Sequence, residues 1–285
     1  MILGHKFQIE LLEKMLQKKE IPHALLFFGP EGIGKKTVAI YFLEKILQKN
    51  PFSHPDFCFV FPQKNEIKID QIREMIWKLS LSSFSQNFKT AILDDCHLMN
   101  VEAQNCLLKF LEEPKGKTIL ILITAHPEML LKTIISRCQT IRFFPPSKKE
   151  IEEFLREKGL KEKEIEEMIK FSFSKPKLIF SFLENRENLT NLKSQLSRIY
   201  NLIKSPIPKK IKEAEILAKD EKILEILSVW LLYFREIFLK TIFERKEEKT
   251  LKAKFALQKL LELIFLIENT NINKRLAVEN FLLQI

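Results

Sequence analysis

The sequence predicts an α/β domain with a parallel five-stranded sheet, followed by a region that is helical to the end of the 285 residues. Three observations carry this prediction. Over the first 145 residues, five short runs rich in β-branched and aromatic residues alternate with helix-like patterns, as in a sheet whose strands are joined by crossover helices. Runs such as "ILILI" are apolar on both faces, as a strand covered by helices on each side must be. Beyond Pro145 and Pro146 the strand-like runs stop and only helical patterns follow.

The strand candidates in order are "ALLFFG" (24–29), "FCFVF" (57–61), "KTAILD" (89–94), "TILILIT" (118–124) and "QTIRFF" (139–144). Helices are expected to begin near Lys35, Asp70, Val101 and Pro127. The double proline ends the fifth strand, and Ser147 can cap a helix whose first turn holds Glu150. Residues 147–187 read as a small helical unit, and 213–284 as long amphipathic helices such as "KFALQKLLELIFLIE". Their apolar stripes are wider than one surface helix needs, which suits a bundle core and leaves room for packing on neighbouring subunits. The expected domains are 1–145, 146–188 and 189–285.

Composition narrows the function classes. No run of eighteen apolar residues occurs, and "MILGHKFQIELLEK" carries charge where a signal peptide needs an unbroken apolar core, so the cytoplasm is the expected compartment, with no membrane partner. Cys58, Cys96, Cys106 and Cys138 form no C-x-x-C pair and lie in periodic apolar segments, which reads as buried free thiols. The net charge of +10 is spread evenly, with 21 basic against 16 acidic residues in 1–150 and 26 against 21 in 151–285. The sharpest bias is 188–212, where Lys193, Arg198, Lys204, Lys209, Lys210 and Lys212 occur without an acid, as in a linker or a phosphate-facing surface.

Chemistry concentrates in "GPEGIGKK", which holds Gly29, Gly32 and Gly34, three of the six glycines. Gly29, Gly34 and Lys35 match the phosphate-binding pattern G-x-x-x-x-G-K-[ST], directly after a strand and before a helix. Loop amides and the helix N-terminus would cradle phosphate oxygens, and Lys35 would reach the β and γ phosphates. The hydroxyl that normally ligates Mg²⁺ is replaced by Lys36, whose ammonium has donors only. Thr37 lies about 100° further round the helix and cannot simply substitute. Asp94 and Asp95 end the third strand, where one carboxylate would hold the Mg²⁺ shell and the next would polarise water. Asp95 is a methylene shorter than the glutamate usual there. Arg137 follows a helical stretch and precedes the fifth strand. It would either pair with a surface carboxylate or, at a domain edge, reach a neighbour's nucleotide as an arginine finger.

The order of these motifs resembles the clamp-loader branch of the AAA+ proteins. The resemblance rests on "IPHALLFFGPEGIGKKTVA", "HPDF", "IKIDQIREM", "AILDDCHLMNVEAQNCLLKFLEEP" and "ILITAHPEMLLKTIISRCQTIRF", and so covers about residues 1–145. The last hundred residues match only in length and helicity. The resemblance implies an AAA+ domain, a small lid domain and a helical collar that holds a five-subunit hetero-oligomeric ring together. It implies a stator that does not hydrolyse ATP productively and presents Arg137 of Ser136-Arg137-Cys138 to ATP on a neighbouring motor subunit. Sliding clamp and primer-template DNA are the implied partners of the ring. No cofactor is required on this reading, and ATP or ADP held without hydrolysis is compatible with it. Relatives often carry a four-cysteine zinc module before the second strand. "LQKNPFSHPDFC" has only Cys58, so neither zinc nor another metal is expected. For the lid's usual sensor arginine, "FSKPKLIF" offers only Lys177.

Two other readings stand beside the stator. Lys35, Asp94, Asp95 and Arg137 are all present, so the chain can be read as an active ATPase motor subunit of a similar loader. The basic stretch 188–212 can be read as a sequence-independent DNA-binding surface, which would show a steep salt dependence.

Overall fold

The computed structural model describes residues 2–84, 88–173 and 175–285. The first half runs α1 (Lys6–Lys18), β1 (Ala24–Phe28), α2 (Lys35–Leu47), β2 (Phe57–Val60), α3 (Ile69–Ser80), β3 (Lys89–Leu93), α4 (Val101–Glu112), β4 (Thr118–Thr124), α5 (Lys132–Ser136) and β5 (Gln139–Arg142). Helices follow: α6 (Lys148–Glu157), α7 (Glu162–Ser172), α8 (Pro176–Glu184), α9 (Arg186–Ile203), α10 (Ile207–Ala218), α11 (Ile223–Phe243), α12 (Glu247–Asn269) and α13 (Lys274–Gln284). All five strands fall inside the runs expected from the sequence. They form one sheet in the order β2-β3-β4-β1-β5, with every pairing parallel.

That order follows from handedness. The chain leaves β1 for the far edge, then returns strand by strand until β5 is laid on the other side of β1. Right-handed crossovers put the one outward step, α2, on one face and the returning steps, α3, α4 and α5, on the other. The alternating side chains agree. Leu25, Phe27, Ile92 and Ile121 pack with Phe42 and Leu43 of α2 and Leu12 of α1, whereas Leu26, Leu93 and Leu122 pack with Met75 of α3, Leu107 of α4 and Ile134 of α5. Each fully buried Leu, Ile or Phe contributes about 1.5–3 kcal/mol, so the two layers clamp the sheet firmly. The chain reverses direction at β1, and such a switch point opens a crevice beyond the carboxyl ends of the strands.

The structure departs from the sequence expectations in several places. No helix was expected before β1, yet α1 forms and buries Leu12 and Met15 at helical spacing. The helix expected from Pro127 is a single 3-10 turn, Pro127–Met129, followed by extended Leu130 and Leu131 and then α5. The Gln104 side chain satisfies the backbone at this break: its oxygen accepts from Leu131 N at 2.9 Å and its amide donates to Met129 O at 3.3 Å. The stretch 188–212 is no linker, because α9 and the start of α10 occupy it. Two of its six basic residues are neutralised locally, Lys193 by Glu167 and Arg198 by Glu213. The expected cap is present, with Ser147 Oγ accepting from Glu150 N at 3.3 Å and Glu150 Oε2 accepting from Ser147 N at 2.7 Å. "HPDF" has a structural role: buried Asp56 accepts from Phe84 N at 3.0 Å and pairs with Lys89 at 3.4 Å.

The chain divides into two compact units, Met1–Ile165 with Ser174–Leu178, and Glu166–Phe173 with Ile179–Ile285. The division runs within α7 and α8, inside the segment 146–188. The second unit is a helical bundle whose core gathers Ile199 of α9, Leu217 of α10, Trp230 and Phe234 of α11, Leu260 and Leu263 of α12, and Phe281 of α13. Phe281 stacks on Trp230 with ring centroids 6.3 Å apart. The other side of α12 leaves Leu251, Phe255, Leu261 and Phe265 exposed. Among the described residues no helix is long and apolar enough to cross a membrane.

Candidate functional site

The loop between β1 and α2 takes the cradle shape that its glycines predict. Gly29 has φ 148°, and a Cβ there would lie 2.3 Å from the Phe143 carbonyl oxygen, so only glycine lets β1 end this close to β5. Gly34, with φ 104°, is the N-cap of α2 and supplies no capping side chain, and no acidic residue stands in the first turn. The first amides of α2 are therefore not satisfied by a cap, as an anion-binding helix start requires. Lys35 is buried and donates to Gly29 O at 2.6 Å and Pro30 O at 2.7 Å. Burial pulls its pKa down, and the carboxylates of Asp95, Glu31 and Asp94 oppose that shift.

The Lys36 side chain is 44% exposed, yet its head is held on two sides. Its Nζ lies 3.1 Å from Asp94 Oδ2 and 4.2 Å from the centre of the Phe59 ring. Asp94 is held in place at the end of β3, its N–H donating to Val60 O of β2 at 2.9 Å. The carboxylate that would hold a Mg²⁺ shell thus already has a cation. A divalent ion placed about 4 Å from that ammonium would be repelled by about 2 kcal/mol even at the dielectric of water, and by more in a less polar crevice. Thr37, the next residue in the chain, is exposed. These residues do not fit Mg²⁺. Asp95 adopts a left-handed backbone, φ 46° and ψ 46°, a strain on the order of 1–3 kcal/mol for a non-glycine residue. Burial, followed by the neighbouring Asp94 charge, raises its pKa.

Arg137 stands at the C-cap of α5, with Nη2 2.7 Å from Glu112 Oε1 and Nη1 donating to Thr133 O at 3.1 Å. Of the two placements open from sequence, the carboxylate partner is present, and it belongs to "LLKFLEEP". The side chain is still 35% exposed, and such a pair at a surface contributes about 0–1 kcal/mol. Lys177 lies beside the cradle, its N–H donating to Gly32 O at 3.3 Å.

Gly29, Gly32, Gly34, Lys35, Lys36, Asp94 and Asp95 therefore meet at the β1 switch point, whereas Arg137 stands at the C-cap of α5 with Glu112. Three contributors escaped the sequence reading. His5 Nε2 donates to Ile33 O at 2.7 Å and its ring meets Phe143 edge-on at 5.0 Å, bracing the loop from α1. Burial lowers its pKa. Thr124, at the end of β4, shares a 3.2 Å hydrogen bond with His97, whose pKa burial also lowers. Phe59 supplies the aromatic face for Lys36. The one signal available for Thr124 was a polar residue closing the apolar run "TILILIT".

A parallel sheet in this order, a glycine-and-lysine loop after its switch-point strand β1 and an acidic pair ending β3 define a P-loop domain of the AAA+ type. A family described as "DNA polymerase III, delta subunit" matches residues 4–147, just over half of the chain. Curated relatives include DNA polymerase III subunit delta' of Pseudomonas aeruginosa, 33% identical over an alignment of 153 positions, with 47% of each chain covered. The same subunit of Bacillus subtilis is 35% identical over 173 residues, 53% of this chain and 51% of that one. This chain thus spans about half the length of the curated relatives it matches. A solved structure of a DNA polymerase III gamma subunit-related protein from Thermotoga maritima shares the fold, with TM-score 0.58 and 21% identity over 97% of both chains. The chain belongs to the DNA polymerase III delta subunit family, in the clamp-loader branch of the AAA+ proteins.

Proposed function

We propose that this chain is a non-catalytic stator subunit of a bacterial clamp loader, which helps load the sliding clamp onto primer-template DNA during replication. On this reading it sits in a five-subunit ring with delta and gamma/tau subunits, within the DNA polymerase III holoenzyme in the cytoplasm. Arg137 serves the ATP of a neighbouring motor subunit. The observation that supports the stator over the motor is the Lys36–Asp94 ion pair, which takes the carboxylate a hydrolytic site needs for its metal. Arg137 keeps its guanidinium partly exposed and leaves Glu112 at little cost. The exposed row Leu251, Phe255, Leu261 and Phe265 on α12 supports a collar that packs on neighbouring subunits.

The test is reconstitution with delta and gamma/tau subunits, comparing wild type with Arg137→Ala. The expected result is unchanged assembly by size-exclusion chromatography with reduced clamp- and DNA-stimulated ATP turnover, because a finger supplies about 10³–10⁵ in rate at the site it serves. An unchanged turnover overturns the finger role. The isolated chain is expected to show no Mg²⁺-dependent hydrolysis. Turnover that disappears in Lys35→Ala would instead establish the motor reading.

A further inference from the structure

We propose that Lys36 is the resident cation of this P-loop, so that the cradle takes the diphosphate of a nucleotide without Mg²⁺. In a metal-using P-loop, the residue after the lysine and the strand-end aspartate hold the ion between them against the phosphates. Here those two positions are joined directly. Lys36 leaves the first turn of α2, and its ammonium sits 3.1 Å from Asp94 Oδ2. It is held from a second side by the ring of Phe59, 4.2 Å away. Phe59 pairs in register with Ile92, two residues before Asp94, so β2 and β3 fix the aromatic and the carboxylate together. Three elements, α2, β2 and β3, therefore supply the ammonium and its two partners, with the side chain 44% exposed.

The charge arrangement defines the ligand form. Lys35 and Lys36 supply two positive charges at the cradle, set against the carboxylates of Asp94, Asp95 and Glu31, with uncapped amides at the start of α2 facing the phosphates. A free diphosphate meets this cradle without disturbing Lys36, whereas a Mg²⁺-diphosphate complex must displace the ammonium from Asp94 or place a dication beside it. Metal-free nucleotide is the better ligand on electrostatic grounds. This inference rests on the P-loop alone and is independent of what Arg137 does.

The experiment uses the full chain and ADP carrying a fluorescent ribose label, titrated at about 0.15 M salt with either Mg²⁺ or EDTA. Wild type is expected to bind at least as tightly in EDTA as in Mg²⁺. Lys36→Thr, which restores the hydroxyl and frees Asp94, is expected to bind at least about tenfold more tightly with Mg²⁺ than in EDTA. Mn²⁺ electron paramagnetic resonance gives a second readout: Lys36→Thr with ADP immobilises one ion, and wild type with ADP immobilises none. The proposal is overturned if wild type loses tenfold or more of its affinity in EDTA, if it immobilises Mn²⁺, or if it shows no saturable ADP binding at millimolar ligand. It is also overturned if folded Lys36→Thr, checked by circular dichroism, gains no metal dependence. These measurements need no partner subunit, so their failure is separate from failure of the Arg137 comparison in the reconstituted loader.

Discussion

Gly29→Ala isolates the close approach that shapes the cradle, and Gly116→Ala supplies its control. Both glycines have positive φ, 148° at Gly29 and 68° at Gly116, so both variants carry backbone strain. They differ in what the new methyl meets. At Gly116 no heavy atom lies within 4 Å, whereas at Gly29 the methyl would lie 2.3 Å from Phe143 O, 3.1 Å from its carbonyl carbon and 3.3 Å from Ile33 Cδ1. Backbone strain costs about 1–2 kcal/mol at the open site. At Gly29, strain of about 1–3 kcal/mol adds to overpacking of about 1–3 kcal/mol, giving about 2–6 kcal/mol in all. Relief requires β5 to move away from β1, at the expense of the 2.8 Å bond from Phe143 N to Phe28 O. Urea unfolding followed by circular dichroism should place Gly29→Ala at least about 1 kcal/mol below Gly116→Ala. Hydrogen exchange should show loss of protection in peptides covering β1 and β5. Equal stability of the two variants, with β5 still protected, would refute the reasoning.

The remaining predictions concern the bundle core and pH. Trp230 is fully buried, yet its Nε1 has no hydrogen-bond partner among the described residues. Trp230→Phe removes that donor, worth about 1–3 kcal/mol when unsatisfied, and should stay within about 1 kcal/mol of wild type, whereas Trp230→Ala should lose about 3–5 kcal/mol. Equal losses in thermal melts would mean that the indole N–H is satisfied. Burial holds the folded-state pKa of His5 below its ordinary 6.5. As pH falls through about 6.5 the unfolded chain takes up a proton that the folded chain refuses, so this contribution is full above that pH and declines below it. The urea midpoint should therefore drop between about pH 7.5 and pH 5.5, and drop less in His5→Gln. His97 shifts in the same direction and leaves a residual slope in that variant. An identical slope in wild type and His5→Gln would remove His5 as a source.

What the sequence determined by itself was local. The five strands, the glycine cradle before α2, the Ser147 cap and the acidic pair ending β3 depend on neighbours a few residues apart, where alternation and turn chemistry act directly. Lys36 could be read as a missing hydroxyl for the same reason. The tertiary structure decided what that lysine does, because Asp94 and Phe59 reach it only once β2 and β3 lie side by side in their observed register. It also gave Arg137 its partner Glu112, brought His5 to the cradle loop and set Gln104 against the interrupted backbone after Pro127. Each of these contacts joins residues from different elements, and their distances depend on strand order and crossover handedness. No short window of the chain encodes either of those, so the sequence could name the cradle while the packed sheet chose its cation.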